Sequence, residues 1–510
     1  MMPLETFVTE YISTLSASFF IKQFAVIICL FIFGAVLSDC LSDGSESMMM
    51  RAVLAYPLGI CAFSITAYAM LVIGIPYNNR TVCAAFVIEL IALVIFNRKS
   101  YASFINPKTI RNMLICCAAA MVVALIAVAG AAPVIISNDS MYFYRRYPDC
   151  IVYYEGLRDQ FDFWMTDTGL GAVALDTLPA LFGFGESFGI REFFHINFIA
   201  FFAACVFEKS GDYLSGKRRI AVTILITAVL VMSTPFVILG HWALANMYYM
   251  ELFFIGAYYT FNNKGKKIGV SAVLLTALAL FRIEGTMFAE WLVLCLSYYC
   301  GIGRKLAKYV MTPVLILFGG YCLKIFTQFN ILDDIYLFMS PQKAVMLVGT
   351  IAAIMIYIAY IEPRLPGAIR SKLPVVYLLA MVLGNMVFLI YDSEHYIGNL
   401  KAFGMNLFRQ SGWGMMPYFV IATTVFFVIE YAAASKGKRW NLGESNAFNI
   451  VLVIGFLLIV LAASFGRGDI LMEDVGDSGN RVLLQIFCSN DVLILEFQFI
   501  FSQHVFRGIN

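Results

Sequence analysis

Apolar stretches of about twenty residues recur from one end of the chain to the other, and each is the length needed to cross a bilayer as a helix. Such a repeat leaves few options, because a spanning segment must satisfy its own backbone and only helices or closed barrels do so. The strands of a barrel alternate apolar and polar residues. These stretches are apolar throughout, so the expectation is an all-α polytopic membrane protein. Composition agrees. Hydrophobic residues are 61% and charged residues 13% of the 510, against roughly 45–50% and 25% in soluble domains. A net charge of +2 without a long basic block gives no basis for nucleic-acid binding.

About fourteen segments meet the length requirement: 20–38, 52–74, 81–96, 113–136, 192–207, 220–239, 244–261, 268–281, 285–301, 309–327, 344–361, 373–391, 413–434 and 448–464. The first follows an acidic leader without a basic region or a small-residue cleavage site, so it reads as a retained helix. Six connections are basic: 97–111, 208–219, 262–267, 302–308, 362–372 and 435–440 hold twenty of the 35 Lys and Arg residues. Even numbers of spans separate them, which puts all six on one side, the inside by the positive-inside rule. The acidic stretch 39–51 is the exception. The long connections 137–190, 328–342 and 392–412 and the tail 465–510 then face outward, and the working face is expected there, on a multi-pass plasma-membrane protein. Function concentrates in long structured loops.

Several outer positions could carry chemistry. Ser137-Asn138-Asp139-Ser140 opens the 137–190 loop; an acid pressed against apolar surface gains basicity, though Asn-Asp is also ordinary turn chemistry. Arg282-Ile283-Glu284-Gly285 joins two spans. An arginine fork there suits a phosphate, and a snorkelling or surface-paired arginine is the plainer reading. Gly476-Asp477-Ser478-Gly479-Asn480-Arg481 offers backbone N–H groups and Arg481 to an anion, or is simply a glycine turn. Tyr142, Trp164 and the other rings of the loop suit sugar faces as well as the membrane interface. Segments 158–164 and 175–185 look like interfacial helices with one apolar face on the bilayer. His241 follows a span as a lone interfacial histidine. Cys150 and Cys488 are the outer cysteines available for a disulfide. Ionisable residues at span centres are few, chiefly Glu89, Glu251, Glu290 and Lys324.

In their order along the chain these motifs resemble the GT-C class of membrane glycosyltransferases, of the dolichyl-phosphate-mannose and aminoarabinose transferase type. The resemblance rests on the long first outer loop opening at Asp139, on the R-x-E-G stretch at Arg282 and on the GDSxNR-like stretch 476–481. It covers roughly 112–300 and 465–482. It divides the chain into an N-terminal three-span addition (1–111), a catalytic transmembrane module (112–300), variable C-terminal helices (301–464) and an outer tail (465–510). It implies an inverting transferase that moves a sugar from a polyprenyl-phosphate donor to a glycan, glycolipid or protein acceptor. Asp139 would be the catalytic base. Arg282, Arg481 and Arg409 would hold the donor phosphate. Asn138, Tyr142, Trp164, His241, Glu284, Asp477 and Asn480 would line the substrate site. No nucleotide-binding glycine loop is present, in keeping with a lipid-linked donor. Asn138-Asp139 supplies one acid where many members have two, so no metal ligand is assigned, no cofactor is required, and a divalent metal is left open. Two other readings stand beside this one: a polysaccharide polymerase, which calls for arginine-rich outer loops, and a lipid-linked oligosaccharide flippase, which calls for charges inside the bundle and two matching halves. A structural membrane protein without an active site is the third.

Overall fold

The computed structural model describes residues 17–42, 46–96, 142–158, 169–184, 188–211, 214–231, 245–283, 285–329, 339–405 and 444–467, with a few isolated positions besides. Among the described residues the chain is helical and contains no strand. Each candidate span that falls there lies on a helix. Six helices are long and apolar enough to cross a membrane: Ile21–Leu41, Met48–Ile73, Gly189–Ser210, Gly303–Gln328, Pro341–Arg364 and Leu373–Tyr391. Apart from isolated positions, the candidates 113–136 and 413–434 lie outside the described residues.

The elements are α1 (Ala17–Leu41), α2 (Met48–Ile73), α3 (Asn79–Phe96), α4 (Tyr147–Tyr153), α5 (Leu170–Asp176), α6 (Leu178–Phe182), α7 (Phe188–Ser210), α8 (Gly216–Val231), α9 (Ala245–Asn262), α10 (Ile268–Phe281), α11 (Gly285–Cys300), α12 (Gly303–Gln328), α13 (Pro341–Arg364), α14 (Leu373–Tyr391), α15 (Ser393–Met405) and α16 (Glu444–Arg467).

The α1–α2 hairpin is the tightest pairing. Glycines let the two backbones touch: a Cβ on Gly34 would stand 1.8 Å from the Ala55 carbonyl oxygen, and one on Gly59 2.0 Å from that of Leu30. Between apolar helices in lipid, close approach through small residues replaces the hydrophobic driving force. Ser47 starts α2 by accepting the Met50 N–H, and Gly74 ends it in the left-handed region at φ +86°.

Helix α2 then packs on α5, α7, α10 and α12. Tyr56 donates to the Ile190 carbonyl, Ser64 to that of Gly171 and Asn197 to that of Val53. The first two helices therefore share one continuous core with the segment 170–300. The outer helices differ: in α13 and α14 only 17% of the most apolar stretch is buried within the chain, which leaves broad apolar surfaces suited to lipid.

Tertiary contacts sort the connections into two ends. The links after α1, α7, α9 and α11 meet at one end, where Ser47 bonds Glu208 and Lys267 pairs with Glu46. The acidic stretch 39–51 thus shares an end with basic connections, and Asp39 and Glu46 are paired there. Asp39 lies 3.1 Å from Arg51 and Glu46 lies 3.0 Å from Lys267. At the other end, Lys22 donates to the Gly183 carbonyl, Lys324 to those of Leu71 and Val72, and the Tyr77 N–H to that of Glu155.

Candidate functional site

The end that carries residues 142–190 departs from the sequence expectation. The 175–185 stretch was expected to lie flat with one face on the bilayer. Instead all of α5 is buried, as are Leu178, Pro179 and Leu181 of α6. Two glycines permit this entry. A Cβ on Gly169 would fall 2.1 Å from the Phe281 carbonyl oxygen and 2.2 Å from the Arg282 Cα; one on Gly171 would fall 2.6 Å from the Leu280 carbonyl oxygen. The chain folds inward because the apolar run Leu170–Leu175 is covered on every side by α2, α10 and the 142–153 turn. A flat interfacial pose would cover one face only.

Asp176 ends α5 and is fully enclosed. Its carboxylate accepts from Arg191 Nε at 3.1 Å and pairs with the same guanidinium a second time through Nη2, the fork geometry that makes such pairs strong. The guanidinium lies over the rings of Tyr144, 5.6 Å from the centroid, and Tyr248, at 5.0 Å, so its faces rest on negative π density. One turn further along α7, His195 Nδ1 sits 2.6 Å from Glu251 Oε1 of α9. Glu192 is buried beside them. Next to α6, the Tyr77 hydroxyl and the Thr177 hydroxyl lie 2.8 Å apart. Burial pushes the Tyr77 phenol above its ordinary range, against the opposing pull of that hydrogen bond, so it stays protonated.

Arg282 stands at the break between α10 and α11. Its backbone is extended, at φ −138° and ψ 155°, and the side chain is half-buried. Gly285 closes the turn by donating to the Arg282 carbonyl at 3.1 Å, while the Tyr249 hydroxyl donates to the Gly285 carbonyl at 2.8 Å. The break is thus held by α9 from one side and by Gly169 from the other. Tyr142 opens the π-helical turn 142–146, whose Tyr144 reaches Arg191; the side chain of Tyr142 itself is outside the description.

The structure therefore brings Arg282 and the 142–146 turn to the same buried helix, α5. Asn138, Asp139, Trp164, His241, Glu284, Arg409, Asp477, Asn480 and Arg481 lie outside the described residues. Cys150 is a free thiol; Cys488 is also outside.

The expectation of few ionisable residues concerned span centres; near the end of α7 the structure groups several of them. Asp176, Arg191, Glu192, His195 and Glu251 are grouped inside the bundle, and only Glu251 stood out in the sequence. A signal was present: Arg191-Glu192-x-x-His195 begins an otherwise apolar helix, and Arg191 and His195, four apart, share a face. Among the described residues, no group of three His, Cys, Asp or Glu side chains could hold a metal ion. No family model, no curated protein and no solved structure matches the chain.

Proposed function

We propose that the chain is a GT-C-like glycosyltransferase with about fourteen spans, a multi-pass plasma-membrane enzyme working at the outer end of the bundle. The observation that carries this reading is Arg282: a half-buried guanidinium at a helix break, its backbone wedged against Gly169 at the start of a helix turned into the bundle. A cation held at that depth suits the phosphate of a polyprenyl-phosphate sugar whose tail lies among the spans.

In the reaction, Asp139 takes the proton of an acceptor hydroxyl. The freed oxygen bonds to the sugar's anomeric carbon from the side opposite the phosphate. The carbon–oxygen bond to phosphate breaks, its electron pair leaving with the polyprenyl phosphate, and the configuration inverts. Arg282, with Arg481 and Arg409, meets the charge that grows on the leaving phosphate. Asn138, Tyr142, Trp164, His241, Glu284, Asp477 and Asn480 are the remaining residues assigned to substrates by resemblance. The acceptor is a cell-envelope glycan, glycolipid or protein.

One observation favours a flippase or transporter instead. Four buried ionisable residues, with the partly buried His195, lie beside a broken, inward-turned helix pair, as substrate-moving proteins require. Depth argues for the enzyme. Arg191 and His195 are three and seven residues from the start of α7 at Phe188, so at 1.5 Å per residue they lie about 5 and 10 Å below that end. An alternating-access site belongs near the middle of a core about 30 Å thick.

The test is binding of a polyprenyl phosphate to the purified protein and to its Arg282→Ala variant. Tight binding that is lost in the variant is the expected result. Absent binding, or binding indifferent to Arg282, overturns the proposal.

A further inference from the structure

The opposite end of the bundle holds a second polar site. A cavity of about 200 Å³ opens between the 46–47 link, the ends of α7 and α9 and the start of α10. Glu46, Glu208, Asn262, Asn263 and Lys267 supply its polar lining, and Phe201 and Tyr258 also border it.

Glu46 is the informative residue. Its side chain is only 3% exposed. Its Oε1 is well satisfied: Lys267 Nζ donates to it at 3.0 Å, and the Tyr259 hydroxyl donates to the same atom. Its Oε2 is buried with no hydrogen-bond partner among the described residues. A buried carboxylate oxygen without a donor is costly, which points to a donor from outside the chain. Glu208, exposed at the cavity, accepts from the Ser47 hydroxyl at 3.0 Å and brings a second negative charge. Lys267 brings a positive one, and Glu46 occupies one of an ammonium group's three donors. The lining thus carries both signs.

Position narrows the ligand. Glu208 is in the last turn of α7, Asn262 ends α9, and Lys267 immediately precedes α10. Helix ends of spanning segments sit at the level of lipid headgroups. We propose that this cavity binds the headgroup of a zwitterionic aminophospholipid, with the primary ammonium donating to Glu46 Oε2 and Glu208 and the phosphate resting on Lys267. A quaternary ammonium has no N–H to give Oε2, so the site discriminates phosphatidylethanolamine from phosphatidylcholine.

The experiment uses the full chain in phosphatidylcholine nanodiscs doped with phosphatidylethanolamine, and native mass spectrometry reads the lipids retained. Wild type is expected to prefer phosphatidylethanolamine by about tenfold or more, the size of one charge-assisted hydrogen bond. Glu46→Gln keeps an acceptor for Lys267 and Tyr259 and is expected to lose the preference. Glu208→Gln, at an exposed position that folding tolerates, is expected to weaken it. Equal retention of both lipids by wild type, or a preference unchanged in both variants, overturns the proposal. So does free O-phosphoethanolamine displacing the lipid at concentrations near those of the lipid itself, which would make the site one for a soluble aminophosphate.

Discussion

The Asp176–Arg191 pair permits a double-mutant cycle whose outcome is fixed by burial. The Asp176 side chain is 0% exposed and that of Arg191 8%, so removing either partner strands a charge inside the bundle. Asp176→Leu leaves the guanidinium between Tyr144 and Tyr248 without its carboxylate; Arg191→Met leaves the carboxylate at the end of α5 without its cation. Each single change is expected to cost about 3–5 kcal/mol of stability. Arg191→Met should fall toward the upper figure, because it also forfeits the ring contacts, worth about 0.5–2 kcal/mol. The double variant Asp176→Leu/Arg191→Met removes both charges of the pair together and fills the space with apolar volume. It should lie within about 2 kcal/mol of wild type, giving an interaction energy of at least about 4 kcal/mol. Equilibrium unfolding in mixed micelles, followed by circular dichroism at fixed detergent composition, measures all four proteins. Single variants costing under about 1 kcal/mol, or a double variant equal to the sum of the singles, would falsify the claim that this is a desolvated pair. The folded double variant also separates roles. If the pair only holds α5 in place, polyprenyl-phosphate binding survives in it; if the pair meets substrate, binding falls while stability does not.

Three further outcomes follow from the same geometry. Gly59→Ala puts a methyl group 2.0 Å from the Leu30 carbonyl oxygen, so the α1–α2 hairpin must part; unfolding in the same micelles should show a loss of at least about 1–3 kcal/mol, the usual range for overpacking. Gly169→Ala drives a Cβ into the Arg282 backbone and should weaken polyprenyl-phosphate binding more than it lowers stability; unchanged affinity would show that the wedge does not place Arg282. Asp139→Asn should leave donor binding intact and lower sugar transfer by about 10²–10⁴-fold, the usual contribution of a general base, and a transfer rate equal to wild type would remove Asp139 from the mechanism.

Helices were legible because each reports on itself. Twenty apolar residues in a row must be helical to bury their backbone, and Ile268–Phe281 and Leu373–Tyr391 emerge with the bounds the apolar runs suggest. Arg282 was legible for a related reason: a charge between two apolar runs marks a break. What a helix meets was not legible. The stretch after Gly169 reads equally well as interfacial or buried, since its apolar residues suit either a bilayer or a protein core. The difference lies in Gly169 and Gly171 opposite Leu280–Arg282, more than a hundred residues away. Arg191 was not singled out in the sequence, because its partner, Asp176, lies in a different segment and reads there as an ordinary loop acid.

The same blindness explains the acidic stretch 39–51. Positive-inside counting treats each loop alone, whereas Asp39 and Glu46 face Arg51 and Lys267 at their end of the bundle. With Asp39 and Glu46 held by cations of the same end, these two acids add little net negative charge there. The stretch also gives a lead: Glu46 keeps a second, buried oxygen without a donor among the described residues. Charge that looks out of place along a sequence is worth locating in three dimensions first, because it marks either a pair that folding must make or a site that a ligand must complete.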